Sequence, residues 1–181
     1  MSRAEEAMGY FLAALKLAPL HVGALTGLGL LERDLRHFDN AAECLRRALK
    51  QEPGRPELWN NLALTQDEMG ERGEAEAAYR QCLSLDPGMA QAKCNLGMTL
   101  LARGRLEEGF KAYEARWQRS DMPPRPFARP QWQGEDLTGK TILLHAEQCL
   151  GDSLQFCRYA PLVKALGAAR VLLEVQPPLA D

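Results

Sequence analysis

The sequence predicts a mainly α-helical protein, with an α-solenoid of about three and a half repeats followed by one βαβ unit. Three observations support this prediction. Residues recur with a period of 34 in the first part of the chain, a segment rich in proline and aromatic residues interrupts the period, and short apolar runs then flank a helical stretch. We therefore divide the chain into repeats at 1–121, a linker at 122–139 and a βαβ unit at 140–181.

Prolines show the period most simply, because Pro19, Pro53 and Pro87 are each 34 residues apart. Proline cannot donate the next backbone hydrogen bond, so each one is expected to close a helix. Small residues follow the same period in pairs, which indicates two helices that cross closely within each repeat. These pairs are Gly29 with Ala41, Ala63 with Ala75, and Gly97 with Gly109.

The stretch PELWNNLALTQDEMGERGEAEAAYRQCLSLDPG resembles the tetratricopeptide repeat. That resemblance implies pairs of antiparallel helices that stack into a superhelix and bury a continuous core only together. We expect a lone second helix at about 2–17 and full repeats at 22–55, 56–89 and 90–121. The signature places of the family pattern are held here by Trp59, Leu62, Ala63, Ala75, Tyr79 and Pro87.

The first helices of such repeats line a concave groove, and their sixth position is expected to face it. Asn61 and Asn95 share that position, and Asn60 lies beside it. Asparagine can pair with both the N–H and the C=O of an extended peptide, as in the similar asparagine ladder of O-GlcNAc transferase. The alternative is that these residues are only solvated. An apolar stripe is expected alongside, made of Leu30, Leu64 and Met98.

Composition excludes several other classes of protein. A net charge of −2 offers no basic stripe for nucleic acid, and no apolar run approaches the ~20 residues that span a bilayer. The five cysteines form no C-x-x-C pair, and no histidine has ligands at metal spacing. We therefore expect a cytoplasmic protein without a metal, a cofactor or a nucleic-acid partner, whose partner is a protein or peptide.

The linker carries four prolines, at positions 123, 124, 126 and 130, which neither a helix nor a central strand tolerates. Its aromatic residues are too many for a free linker. We expect Trp117, Phe127 and Trp132 to anchor the segment along the last repeat helix.

The period changes after the linker. KTILLHAE and ARVLLEVQ are short apolar runs suited to buried parallel strands, and SLQFCRYAPLVKALG between them is an amphipathic helix. This order is the opening of a Rossmann-like sheet. Asp152 is expected to cap the helix, with Gln155 at the capping-box position. The helix N-terminus, with Gly151 and Ser153, is a candidate anion site.

From Trp132 to Leu179 the sequence follows the pattern W-x-G-x-x-L-x-G-K-T-I-L-L-H-A-E-Q-x-L-G-D-S-L-Q-F-x-R-Y and then VLLEVQPPL. With the repeats, it resembles bacterial tetratricopeptide-repeat proteins that carry a C-terminal heptosyltransferase-like glycosyltransferase domain of the GT-B fold. The resemblance implies a sugar-nucleotide donor and a general-base role for Asp152 in a complete enzyme. Cys149 stands where the family has glycine, which puts the conformation of the turn in question.

The sequence thus predicts a module that binds extended peptide segments in the groove of its repeats and is not catalytic as it stands, because a GT-B enzyme needs two lobes and the resemblance covers only the start of the first. The alternative is the N-terminal part of a glycosyltransferase whose repeats recruit the acceptor. A lone βαβ unit leaves strand edges open. We favour association of those edges between two chains over docking on the last repeat or disorder.

Overall fold

The computed structural model describes residues 3–119, 126–147 and 149–179. The chain divides into two compact units, Met1–Arg125 and Pro126–Asp181, and each is described by itself. Several sequence-based expectations fall outside the described residues: the first residues of the lone helix, the end of the third repeat, and Pro123 and Pro124 of the linker.

The described part of the first unit contains seven α-helices, which confirms the predicted solenoid of three and a half repeats. A 3₁₀ turn, Glu114–Gln118, continues the last of them. The helices are α1 Arg3–Leu17, α2 Val22–Asp34, α3 Phe38–Gln51, α4 Pro56–Glu68, α5 Arg72–Leu85, α6 Ala90–Ala102 and α7 Leu106–Tyr113.

Helices pack in the order that stacked repeats require. Within a repeat α2 contacts α3, α4 contacts α5 and α6 contacts α7, while α1, α3 and α5 each contact the first helix of the next repeat. The predicted small residues lie at the crossings. A Cβ added to Gly97 would lie 2.6 Å from the backbone nitrogen of Tyr113 and 2.9 Å from the carbonyl oxygen of Gly109. Only glycine lets α6 and α7 approach this closely.

The buried side chains of the first unit form two clusters along the stacked helices, and Trp59 packs against both. Large side chains with almost no exposed surface fill these clusters, and each is worth about 1.5–3 kcal/mol of transfer free energy. Cys82 and Cys94 are buried with them, as expected of packing thiols, and burial raises the pKa of Cys82 to about 11. The fully buried side chains include Leu25, Leu45, Leu58, Tyr79 and Leu100.

One backbone position recurs after each first helix. Gly70 follows α4 with φ of 82°, and Gly104 follows α6 with φ of 77°. The same place after α2 is Arg36, which has φ of 64°. Left-handed backbone of this kind ends many helices and favours glycine, so Arg36 holds a strained backbone conformation in the first repeat, where the other two repeats have glycine.

The second unit has the predicted βαβ order. Strands β1 (Thr141–His145) and β2 (Arg170–Glu174) pair in parallel, with Ile142 opposite Val171. The connection between them is helical, and a further 3₁₀ turn follows β2. The connecting elements are α8 Leu150–Phe156, a 3₁₀ turn Cys157–Tyr159 and α9 Ala160–Ala165, and the final turn is Pro177–Leu179.

Two expectations for this unit are wrong in detail. The single helix is broken into α8 and α9, because Pro161 lies in the first turn of α9 and cannot donate a backbone hydrogen bond to continue α8. Part of the predicted linker belongs to the unit itself, since Trp132 packs on its small core and the Phe127 ring contacts His145, with ring centroids 4.6 Å apart and ring planes tilted by 40°. The expectation that these rings also anchor the segment along the last repeat helix stays a prediction.

None of the helices among the described residues combines the length and apolar character needed to cross a bilayer.

Candidate functional site

The candidate site lies on the first helices of the three repeats. Helix α4 contacts both α2 and α6, so these three helices form a continuous layer. We call the residues Leu30, Asn60, Asn61, Leu64, Asn95 and Met98 on this layer the groove residues. Met98 is 45% exposed, while Leu30, Leu64 and both neighbouring asparagines of α4 are half-buried. The apolar stripe therefore offers its accessible surface mainly at α6.

The two asparagines at equivalent repeat positions differ in environment. Asn61 is half-buried, whereas Asn95 is only 2% exposed. The side-chain oxygen of Asn95 accepts a hydrogen bond of 2.8 Å from Gln91. Its amide nitrogen is buried beside the Tyr79 hydroxyl, and neither group has a hydrogen bond with standard geometry in the described structure.

A polar contact joins α4 to α6 next to the groove residues. The Thr99 hydroxyl donates to Asp67 at 2.7 Å, and the nearby Tyr79 is fully buried. Burial, and then the Asp67 charge, raise the pKa of Tyr79 far above its ordinary value, so this phenol stays neutral. We did not predict this contact. The only sequence feature that relates to this contact is the recurrence of threonine at one repeat position, since Thr65 and Thr99 are 34 residues apart and both are buried.

An ion-pair cluster, also absent from the sequence-based predictions, lies between the second and third repeats. Glu76 of α5 is 8% exposed and accepts from Arg80 at 2.9 Å, Arg103 at 2.5 Å and Arg105 at 2.6 Å. Glu108 of α7 pairs with Arg80 and Arg105 as well. Burial opposes the charge on Glu76, but the hydrogen bonds and charges of Arg80 and Arg105 outweigh it and lower its pKa.

In the second unit the predicted helix cap is shifted. Helix α8 starts at Leu150, so Cys149 is the residue before it and Asp152 lies in its first turn. The Asp152 carboxylate accepts from the Cys149 backbone N–H at 3.4 Å and thiol at 3.2 Å. The expectation that Asp152 itself occupies the cap position is therefore wrong. It closes the capping box from inside the helix, because the helix begins earlier than predicted.

The candidate anion site shares this turn. Ser153 donates its hydroxyl to Gln176 at 2.7 Å, while Gly151 is exposed, with open space where a side chain would be. The carboxylate of Asp152 already supplies a negative charge at this helix N-terminus. An external anion would have to share the turn with it, and anion binding stays a prediction.

Comparisons with known proteins agree with the first unit. Residues 22–65 and 56–89 match models of the tetratricopeptide repeat. Protein FlbA of Caulobacter vibrioides is 44% identical over 71 residues, which are 38% of this chain and 12% of FlbA. The chain therefore spans only a small part of the length of this relative.

Solved structures support the same fold. A crystal structure of MamA protein has a TM-score of 0.59 and 23% identity, with 64% of this chain and 63% of that chain covered. A second MamA crystal structure has a TM-score of 0.60 and 20% identity, with 68% and 77% covered. The family models end at residue 89, so the glycosyltransferase resemblance of residues 132–179 stays a prediction. The helical unit is a tetratricopeptide-repeat solenoid, an architecture that serves protein–protein interaction.

Proposed function

We propose that the repeats bind an extended segment of another protein along the groove residues. The observation that carries the proposal is the layer of α2, α4 and α6, on which Leu30, Leu64 and Met98 recur at one repeat position. An extended chain lying across these helices would place apolar side chains on the stripe. The 45% exposure of Met98 provides apolar area that such a ligand can remove from water.

The polar part of the proposed contact rests mainly on α4. The half-buried amide of Asn61 has both donor and acceptor groups for a peptide backbone, whereas the side-chain oxygen of Asn60 is buried, without a hydrogen-bond partner among the described residues, and would have to turn outward to reach a peptide. Asn95 is buried and held by Gln91, so it would join only after Gln91 turns aside. Asn61 is therefore expected to contribute more to affinity than Asn95.

The charge at the end of α4 favours a basic partner. Asp67 and Glu68 lie together there, and Asp67 faces α6 through its bond with Thr99. Arg33, at the end of α2, is paired with its own neighbour Asp34 at 3.6 Å. A ligand with lysine or arginine near its apolar side chains would complement these carboxylates, and rising salt would weaken its binding.

The test is a peptide array probed with the purified chain, followed by titration of the best peptide. Asn61→Ala should weaken binding about three- to tenfold, because one net hydrogen bond is worth about 0.5–1.5 kcal/mol. Asn40→Ala, an exposed asparagine on the second helix α3, is the matched control and should leave the affinity unchanged. If a peptide binds saturably and has the same affinity for the wild type and for Asn61→Ala, the ligand does not lie on the groove residues.

A second candidate function is that of the start of a glycosyltransferase whose repeats recruit the acceptor. The observation that favours it is the parallel βαβ order, with Asp152 in the turn after β1. Because this carboxylate is already used in the capping box, we expect no sugar-nucleotide hydrolysis or transfer by residues 1–181. Turnover that Asp152→Asn abolishes would establish the enzyme instead.

The second unit is further proposed to self-associate through its strand edges. Its described residues form a sheet of two strands, and Leu143 and Leu172, which lie opposite each other, are 40% and 42% exposed. A symmetric partner would pair an edge and cover these leucines together. Light scattering should give a larger than monomeric mass for 1–181 but not for 1–121. A monomeric mass for both, well above micromolar concentration, would rule the association out.

A further inference from the structure

Asp67 of α4 carries a half-buried carboxylate whose described surroundings are neutral. Its Oδ2 oxygen accepts a hydrogen bond of 2.7 Å from the Thr99 hydroxyl. The wholly buried Tyr79 phenol lies near it, has no hydrogen bond of standard geometry, and stays neutral because burial and then the Asp67 charge raise its pKa. No lysine, arginine or histidine among the described residues lies within ion-pair distance of Asp67. Its negative charge is therefore not compensated by a cation of the chain.

The repeat architecture does not require a carboxylate at this place. The residues 34 positions before and after Asp67 are Arg33 and Leu101. Glu76 shows how the chain compensates a carboxylate that serves packing, because three arginines pair with it. A half-buried charge without such a partner is unfavourable unless a group from outside compensates it.

Asp67 borders the groove residues on both helices that it joins. It lies three positions after Leu64 on α4, a spacing that places two residues on the same side of a helix. Thr99, which holds it, directly follows Met98 on α6. A ligand that covers Leu64 and Met98 thus passes next to this carboxylate.

We propose that Asp67 binds a lysine side chain of the extended segment and favours lysine over arginine. This inference rests on the proposed function, since the groove residues hold the rest of the segment. Arginine donates through a planar fork that suits both oxygens of a carboxylate, whereas the ammonium group of lysine is a compact charge that one oxygen can pair. Thr99 already donates to Oδ2, which leaves Oδ1 for a contact at a single point.

The neighbouring Glu68 is expected to attract cations with less discrimination. Its side chain is exposed at the end of α4, so water and salt screen its charge. Asp67 is half-buried and held in place by Thr99, which strengthens its interaction with a cation and fixes the direction of that contact. The choice between lysine and arginine therefore depends on Asp67.

The test uses short labelled peptides, acetylated and amidated, in which leucine alternates with serine and one serine at a time is replaced by lysine, arginine or norleucine. Norleucine keeps most of the lysine stem but lacks the ammonium group. Fluorescence anisotropy with the whole chain measures the affinities. At the best position, the lysine peptide should bind about tenfold more tightly than the norleucine peptide and about threefold more tightly than the arginine peptide.

Protein variants assign this preference to one carboxylate. Asp67→Asn keeps the size of the side chain but removes its charge, so it should bind the lysine and norleucine peptides equally. Glu74→Gln removes the same charge from an exposed side chain of α5 and is the matched control, which should keep the full preference. Glu68→Gln should reduce the preference by less than about twofold. Thr99→Val frees Oδ2 and should bring the arginine peptide close to the affinity of the lysine peptide.

Several results would overturn the inference. If the lysine and norleucine peptides bind equally while Asn61→Ala still weakens both, the groove binds peptides but Asp67 does not bind lysine. A lysine preference that Asp67→Asn retains would assign the cation to another carboxylate, and an arginine peptide that binds as tightly as the lysine peptide would refute the selectivity. If none of the peptides binds saturably, the proposed function and the lysine site fail together. Circular dichroism checks that each variant keeps its helices.

Discussion

The two units of the chain bury their apolar side chains to very different degrees. The repeats enclose complete levels of core, with Leu25, Leu45 and Tyr79 wholly buried. The described part of the second unit buries only Leu137, Ile142 and Ala168, while Leu154 and Leu162 on its helices remain more than half exposed. A helix pair covers its apolar face with the next pair along the chain, whereas the second unit has two strands among its described residues, and a sheet of that size buries little apolar surface by itself.

The largest expected effect contrasts a glycine of each unit. Gly97→Ala should destabilise the repeats by about 3 kcal/mol, because the new Cβ would lie 2.6 Å from backbone and overpacking of a rigid contact costs ~1–3 kcal/mol or more. Gly151→Ala in α8 meets open space and should change stability by less than ~0.5 kcal/mol. Hydrogen exchange measured separately for peptides of the two units gives both values.

A loss of protection in both units with Gly97→Ala would contradict the comparison, since it would mean that they unfold together. Protection unchanged in both units would mean that α6 and α7 can separate without cost.

The second prediction concerns the ion pairs that join α5 to the third repeat. Glu76→Gln should cost about 1.5–3 kcal/mol at neutral pH, the usual worth of hydrogen bonds to a charged group. Because the pKa of Glu76 is lowered on folding, its contribution is present above its ordinary pKa of 4.5 and is lost as the pH falls through the lowered value. The difference between wild type and Glu76→Gln should therefore shrink in acid.

Urea denaturation at several pH values between neutrality and the acid range measures this difference. Glu43→Gln, an exposed glutamate on α3, is the control and should change stability by less than about 0.5 kcal/mol throughout. A cost of Glu76→Gln that stays constant with pH would show that the side chain acts through packing rather than charge.

The sequence predicted the repeats well because their determinants are local and recur. Prolines at the helix ends and small residues at the helix crossings, such as Gly29 and Gly97, recur in three repeats and indicate the same helix pair each time. The cluster around Glu76 was not predicted, because its arginines come from two segments, α5 and the connection between α6 and α7, and their sequence does not distinguish them from other exposed arginines of the chain. The unequal burial of Asn61 and Asn95 also depends on neighbours, Gln91 and Tyr79, rather than on repeat position.

The order of elements in the second unit was predicted from the sequence, but the bounds of its helices were not. Alternating strand and helix patterns indicated the βαβ order correctly. The break before Pro161 was not predicted, since the amphipathic pattern of the sequence does not distinguish a short 3₁₀ turn from α-helix. The earlier start of α8 was not predicted either. The contacts of Phe127 with His145 and of Trp132 with the small core were not predicted, because an aromatic side chain indicates that it will pack on something, but not on which neighbour.

The smallest expected effect tests whether the first repeat is the weakest of the three. Arg36 holds a φ of 64° where the other repeats have Gly70 and Gly104. Arg36→Gly should stabilise the repeats by about 0.5 kcal/mol, because relief of about 1 kcal/mol of left-handed strain is partly offset by the freedom that glycine adds to the unfolded chain. The loss of the Arg36 guanidinium, 5.2 Å from the Phe38 ring, also reduces the gain.

Thermal unfolding of Arg36→Gly, Arg36→Ala and Gly70→Ala separates these contributions. Arg36→Ala keeps the left-handed residue but loses the ring contact, so it should be slightly less stable than wild type. Gly70→Ala introduces the strain into the second repeat and should cost about 1–2 kcal/mol. If Arg36→Gly and Arg36→Ala had the same stability, backbone strain would not distinguish the first repeat from the others, and the stacking of Arg36 on Phe38 would remain as the only measurable role of that side chain.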